Sequence, residues 1–298
     1  MPTETQRLEV RKTYKLYIGG AFPRSESGRS YVVSNAKGKF LANASQASRK
    51  DARDAVVAAR KAFGGWHART AYNRGQVLYR IAEVMEGRHQ QFSAEVAASE
   101  GISISKARAV VDASIDRWVW YAGWADKITQ VLGSSNPVAA PYFNFTIPEA
   151  TGVVGVVAPE TSSLLGLVSR LAPPLVSGNT VVLLASETRP LPAVTLTEVL
   201  ATSDVPGGVV NVLTGLRSEL VPVLAGHRDV DALDTWGVPE AMRRDTELLV
   251  AEDIKRLLRR PTTVDEARFD WLDDRATERP EWIAAFLEMK TVWHPIGG

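Results

Sequence analysis

The residues able to carry covalent or acid–base chemistry are few and scattered along this chain. Cysteine is absent from all 298 positions, which excludes disulfides, thiolate metal sites, sulfur redox switching and any reaction begun by a thiolate. His67, His89, His227 and His294 have no second ligand at helical spacing and read as surface or core-edge residues. Asp231, Asp234 and Glu240 form no spaced carboxylate pair and are expected on loops, without an acid or base role. The basic run Lys255–Arg260 (KRLLRR) is expected to cover the C-terminal end of a helix, where cations are favourable. Trp118, Trp120, Tyr121 and Trp124 are read as helix-packing mass, since no basic groove accompanies them to make a base-stacking platform.

The elements that must position these residues follow from periodicity. Short β-rich runs between Tyr14 and Ala44, broken by Gly19–Gly20, Ser27–Gly28 and Lys37–Gly38, predict a few strands joined by turns. Ser48 is expected to cap a helix carrying Ala52, Val56, Ala59 and Phe63, with Gly64–Gly65 ending it. A second helical stretch holds Leu78, Ile81, Met85, Phe92 and Val96 and stops near Gly101, and a third spans roughly 104–131. From Ser134 onward, Tyr142, Asn144 and Thr146 alternate with Phe143, Phe145 and Ile147. That period of two suggests an extended strand, and prolines at 137, 141 and 148 suit a sheet edge.

Alternating units then follow: strand 152–157, helix 163–176, strand 180–184, helix 191–202, strand 209–213, helix 218–225 and a strand near 230–234. Apolar runs of this length between helices imply a parallel sheet covered on both faces. Residues 240–281 are charge-rich with one amphipathic helix (Leu249, Ile254, Leu257, Leu258), and the apolar stretch EWIAAFLEMKTVWHPIGG closes the sequence.

Thirty-five basic and 34 acidic residues in mixed order give a net charge of +1, which argues against nucleic acid or an anionic membrane as partner. The polar start MPTETQRLEVRK lacks the apolar core of a secretory leader, and no apolar run approaches a bilayer span. A cytoplasmic location is the expectation.

LYIGGAFPRSESGR (16–29), DAVVAARKAFGGW (54–66), RGQVLYRIAEVM (74–85), YAGWADK (121–127) and YFNFTIPEATGVVGVVAP (142–159) occur in that order, followed by LAPPLVSGNTVVL (171–183), DVPGGVVNVLTG (204–215) and FLEMKTVWHPIG (286–297). Together they resemble the aldehyde dehydrogenase superfamily over about residues 14–240 and again at the C-terminus. The resemblance implies an α/β fold: a Rossmann-like parallel sheet flanked by helices, plus a small antiparallel oligomerisation sheet. It divides the chain into a nucleotide-binding-type domain (1–135 and 152–240), an oligomerisation sheet (136–151 and 282–298) and a charged segment (241–281) in place of a catalytic domain.

Departures from the family pattern fall on its functional positions. The family reaction starts from a cysteine thiolate, and its Leu-Glu-Leu-Gly-Gly-like segment supplies a general base; neither is present, so the resemblance implies no catalytic residue here. Thr161 stands where the family has an oxyanion-stabilising Asn, after Pro159 and Glu160. In the Lys-Pro-Ser-Glu motif that holds the adenosine ribose, Leu184 and Ala185 replace the first pair while Ser186 and Glu187 remain. Gly215 is kept, but the second glycine of that turn is Arg217, read as a solvated side chain. Phe-Thr-Gly-Ser has become Thr235, Trp236, Gly237 and Val238, and Trp236 and Val238 crowd the approach of a pyrophosphate.

The resemblance therefore implies a non-catalytic subunit that partners a full-length aldehyde dehydrogenase subunit, or itself, through 136–151 and 286–297. No cofactor is expected. Two alternatives stay open: an NAD(P)-dependent oxidoreductase that works only with a partner supplying the cysteine, and an NAD(P)-binding sensor. In either, NAD or NADP contacts would come from Ser186, Glu187, Gly215 and Gly237.

Overall fold

A computed structural model describes residues 12–296. The polar start (1–11) and the last two glycines (297–298) lie outside the described residues. The chain begins with β1 (Thr13–Tyr14), β2 (Ser30–Ser34) and β3 (Phe40–Ser45), which form a small sheet in the order β1-β3-β2. Between β1 and β2, Tyr17 bridges Val212 through paired backbone bonds of 3.0 and 2.7 Å.

Helix α1 (Arg49–His67) starts at a reciprocal cap: the Asp51 amide donates to Ser48 Oγ at 3.2 Å and the Ser48 amide to Asp51 Oδ2 at 2.8 Å. The helix runs through Gly64–Gly65 rather than ending there. Two glycines cost a helix roughly 1 kcal/mol each, but the last turn seats Trp66, 1% exposed, whose indole N–H donates to Leu175 O at 3.2 Å. Burial of a tryptophan is of a size to offset that cost.

The second and third helical stretches each divide in two. Helices α2 (Ala71–Glu86) and α3 (His89–Glu100) meet at Gly87–Arg88, and α3 ends at Gly101 in the left-handed region (φ 70°). Helix α4 (Ile104–Ala122), capped by Ser103, is followed by the short α5 (Ile128–Leu132). Trp118 and Tyr121 on α4 are fully buried in the main core, as packing mass should be.

Strands β4 (Ser134–Asn136) and β5 (Tyr142–Ala150) precede the parallel layer. That layer contains β6 (Val153–Val157), α6 (Leu165–Val176), β7 (Thr180–Leu184), α7 (Leu191–Leu200), β8 (Val210–Leu213), α8 (Arg217–Gly226), β9 (Ala232–Asp234), α9 (Glu240–Glu252) and β10 (Arg256–Leu258). All neighbouring strands are parallel, in the order β10-β9-β6-β7-β8. Side chains alternate across it as strand geometry requires. Val153, Val157, Val182, Leu184 and Leu213 face Ala52, Val56, Leu220 and Leu224 of α1 and α8. Val154, Val156, Val181, Leu183 and Val212 belong to the larger core on the other face, with residues of α2, α4 and α6.

Two expectations for the charged segment change here. The amphipathic helix stops at Glu252, because Ile254 adopts φ 55° and stands 93% exposed. Leu257 and Leu258 then belong to β10, paired with Leu233 and Asp234, so the KRLLRR run is a fifth sheet strand rather than a helix end. Residues 259–285 fold back with one turn of 3₁₀ helix (Glu266–Arg268) and the short helices α10 (Asp274–Thr277) and α11 (Pro280–Ala284).

Strand β11 (Leu287–Pro295) closes the described chain, pairing antiparallel with β5 from Leu287↔Ala150 to Pro295↔Tyr142. The sheet order is β11-β5-β4, so β5 is central rather than an edge. Pro148 is tolerated because the β4 ladder ends at Ser134↔Thr146, leaving the β4 side of β5 open beyond that point. No helix among the described residues is long and apolar enough to cross a membrane.

Candidate cofactor crevice at the carboxyl end of the parallel sheet

From β6 the chain winds outward through β7 and β8, then returns to lay β9 on the other side of β6. The direction of winding reverses between β6 and β9. In open parallel sheets, ligands bind outside the carboxyl ends of the strands at such a switch point. The loops there are 158–164 after β6, 185–190 after β7, 214–216 after β8 and 235–239 after β9.

Glu160 reaches from the β6 loop across the β7 loop. Its carboxylate accepts from the Glu187 amide (2.9 Å), the Thr188 amide (2.8 Å), Thr188 Oγ1 (2.5 Å) and Ser186 Oγ (3.0 Å). An Arg217 guanidinium nitrogen lies 2.7 Å from the same group. Arg217 comes from the opposite side, at the start of α8. Its guanidinium donates to Ala158 O at 2.8 Å, so the side chain crosses the end of β7 to reach the end of β6. Arg217 is 5% exposed, not solvated as expected. The half-buried Glu160 carboxylate and a strand-end carbonyl together offset the cost of burying that charge.

Glu187 is likewise engaged: its Oε2 accepts from the Arg217 amide at 2.8 Å, capping the N-terminus of α8. Gly215 (φ 147°) is backed by the Ala47 backbone, where an added Cβ would come within 3.1 Å of the amide nitrogen. At Gly237 an added Cβ would stand 1.9 Å from Ala158 O. The glycine is needed there because its own backbone lies against β6, with its amide donating to Val157 O at 3.0 Å. Ser186, Glu187, Gly215 and Gly237 thus gather at one end of the sheet, each held by a contact within the chain.

The switch point itself is filled with aromatic side chains. Trp236, 3% exposed, packs with Leu165 and Trp271, and Val264, Phe269 and Trp282 close around them. Beneath them lies a buried ion pair, Arg170 Nε donating to Asp234 Oδ2 at 2.6 Å. The Arg170 guanidinium also stacks 5.0 Å from the Trp236 ring and 4.3 Å from that of Trp282. Burial pushes the Asp234 carboxyl up from its ordinary value, and Arg170 opposes that rise. Asp234 therefore ends a strand, and Glu240 opens α9; neither is the loop carboxylate expected.

Residues 259–285 roof this end of the sheet. Glu266 accepts from the Glu160 amide and, at 3.3 Å, from the Thr161 amide, while its Oε2 takes 2.7 Å from Arg260. Thr161, at the position expected for an oxyanion donor, gives its hydroxyl to Glu266 O at 3.3 Å. On α4, Arg117 donates to Ser169 Oγ (2.9 Å) and Asp274 (3.2 Å), and the Tyr121 hydroxyl donates to Thr277 O (3.2 Å). Glu266 and Trp271 escape a sequence reading altogether, and Glu160 is met there only as the residue before Thr161. The one available signal for the bridge is opposite charge in the turns that follow two parallel strands, at Glu160 three residues after β6 and Arg217 four after β8.

The family model described as "Aldehyde dehydrogenase family" matches residues 22–259. Retinal dehydrogenase 2 of Gallus gallus is 33% identical over 262 residues, covering 86% of this chain and 50% of that protein. Cytosolic 10-formyltetrahydrofolate dehydrogenase of Mus musculus is 32% identical over 260 residues, 85% of this chain and 28% of that one. An NAD+ complex structure of aldehyde dehydrogenase from Bacillus cereus superposes with a TM-score of 0.78 at 27% identity, covering 83% of this chain and 50% of that one. The chain spans about half the length of the first curated relatives it matches, 52% and 50%. By sequence and by fold, the chain belongs to the aldehyde dehydrogenase family.

Proposed function

We propose that this chain is a non-catalytic subunit of the aldehyde dehydrogenase type, which docks on a full-length aldehyde dehydrogenase through its three-stranded sheet. The observation that carries the reading is the β5–β11 ladder. It is nine residues long, and among the described residues β11 has a neighbour on one side only. An open edge of this length pairs readily with another chain. Both faces of the sheet also offer apolar surface: Tyr142, Met289 and Trp293 on one, and Phe143 and Phe145 on the other. Exposed apolar clusters of this kind mark interaction surfaces.

The non-catalytic half of the reading rests on composition and placement. No cysteine occurs in the chain to serve as the family's nucleophile. The residues between β10 and β11, where the resemblance implies a catalytic domain, cover the end of the sheet instead. Purified alone, the chain should not oxidise an aldehyde at the expense of a dinucleotide.

Co-expression with a full-length aldehyde dehydrogenase, followed by affinity capture and light scattering, tests the docking. A complex containing both chains, with oxidation per active thiol unchanged by this subunit, is the expected result. A chain that stays monomeric and takes up no full-length partner at any concentration would sink the reading.

A further inference from the structure

The geometry points to a dinucleotide crevice that the chain has filled with its own side chains, leaving no room for NAD or NADP at the carboxyl end of the sheet. This inference stands apart from the docking reading: either can fail while the other holds. A solved relative of the same fold is an NAD+ complex, so the fold as such is compatible with a dinucleotide, and the case against one here rests on side chains and on the roof.

Three observations carry it. First, Glu160 acts as an internal ligand. Four hydroxyl and amide donors from residues 186–188, together with Arg217, converge on its one carboxylate. Those are the groups a ribose or phosphate would need, and a ligand must evict Glu160 to reach them. Eviction would leave the Arg217 guanidinium, 5% exposed, without its anion, a costly arrangement for a buried charge.

Second, the expected ribose acceptor, Glu187, already caps α8 through the Arg217 amide. A diphosphate entering here would find the nearby guanidinium groups already taken, Arg217 by Glu160 and Arg260 by Glu266, and would have to separate those ion pairs to use them. Third, the switch point has no vacancy. Trp236 occupies it under Trp271, and Gly237 is pressed against Ala158 rather than left open to a ligand.

Thermal melts and isothermal titration of the full chain with NAD, NADP and ADP test the inference, alongside the double variant Glu160→Ala/Arg217→Gly. The wild type should show no saturable heat and no melting shift at millimolar nucleotide. The variant, if it melts cooperatively, should gain a ligand-dependent shift on the order of 2–4 °C. A saturable wild-type response to any of the three would overturn the inference. A folded variant that stays silent would overturn the assignment of closure to Glu160 and Arg217. Neither result bears on whether the β5–β11 sheet captures a partner.

Discussion

Arg170 and Asp234 show how much one pair of side chains can hold in place. Both are buried, 1% and 0% exposed by side chain, and the guanidinium also lies over the rings of Trp236 and Trp282. Arg170→Ala should cost about 3–5 kcal/mol, because it strands an uncompensated carboxylate in the core; denaturant melts would measure the loss. Glu100 gives a pH-dependent counterpart. It accepts both the amide and the hydroxyl of Ser163 at 2.7 Å, yet burial holds its pKa above the ordinary 4.5. An acid whose folded pKa is raised lends stability that is full below the unfolded value and lost as pH climbs through the folded one. Melting temperature should therefore decline above pH 4.5 in the wild type relative to Glu100→Gln, and equal slopes for the two would refute this. Neither pair was legible in the sequence: Arg170 sits in an apolar helix, Asp234 looked like a loop residue, and their meeting depends on β9 returning beside β6.

Elements were read more faithfully than their ends. The Ser48 cap, the alternation of β6 through β9 and the Gly101 stop all follow from local chemistry, and the structure places them where local chemistry asks. Ser48→Ala should destabilise the chain by about 1 kcal/mol through loss of the reciprocal cap, measurable by chemical denaturation. Errors arose where a distant contact outweighs propensity. Gly64–Gly65 fails to stop α1 because Trp66 is anchored to Leu175, more than a hundred residues away. Leu249, Ile254, Leu257 and Leu258 fit a helical spacing, but the left-handed turn at Ile254 breaks it and a vacant edge beside β9 takes the leucines as β10. Short apolar runs are ambiguous between the two periods, and only the sheet decides.

For the molecule as a whole, two surfaces have opposite fates: the carboxyl end of the parallel sheet is closed inward, and the outer edge of β11 stays open. Fold class and the pairing of the two segments 136–151 and 286–297 were legible from motif order, and so was the crowding by Trp236 and Val238, whereas the Glu160–Arg217 bridge and the roof were not, since they require four loops and a returning segment to meet. Docking through the open edge makes a distinct prediction: the pair Val292→Lys and Trp293→Lys, one on each face of β11, should reduce capture of a full-length partner about tenfold or more while leaving the melting temperature near that of the parent. Equal capture by the variant, measured by quantitative pull-down, would remove the sheet from the interface. The roof carries its own optical label. Trp236, Trp271 and Trp282 hold their ring centres 5.0 to 6.3 Å apart at fixed, non-parallel angles, close enough for their electronic transitions to couple. Near-ultraviolet circular dichroism should register that rigid triad as a strong signal that fades when tertiary packing loosens, so the covering of the sheet end can be followed in solution without attaching a dye.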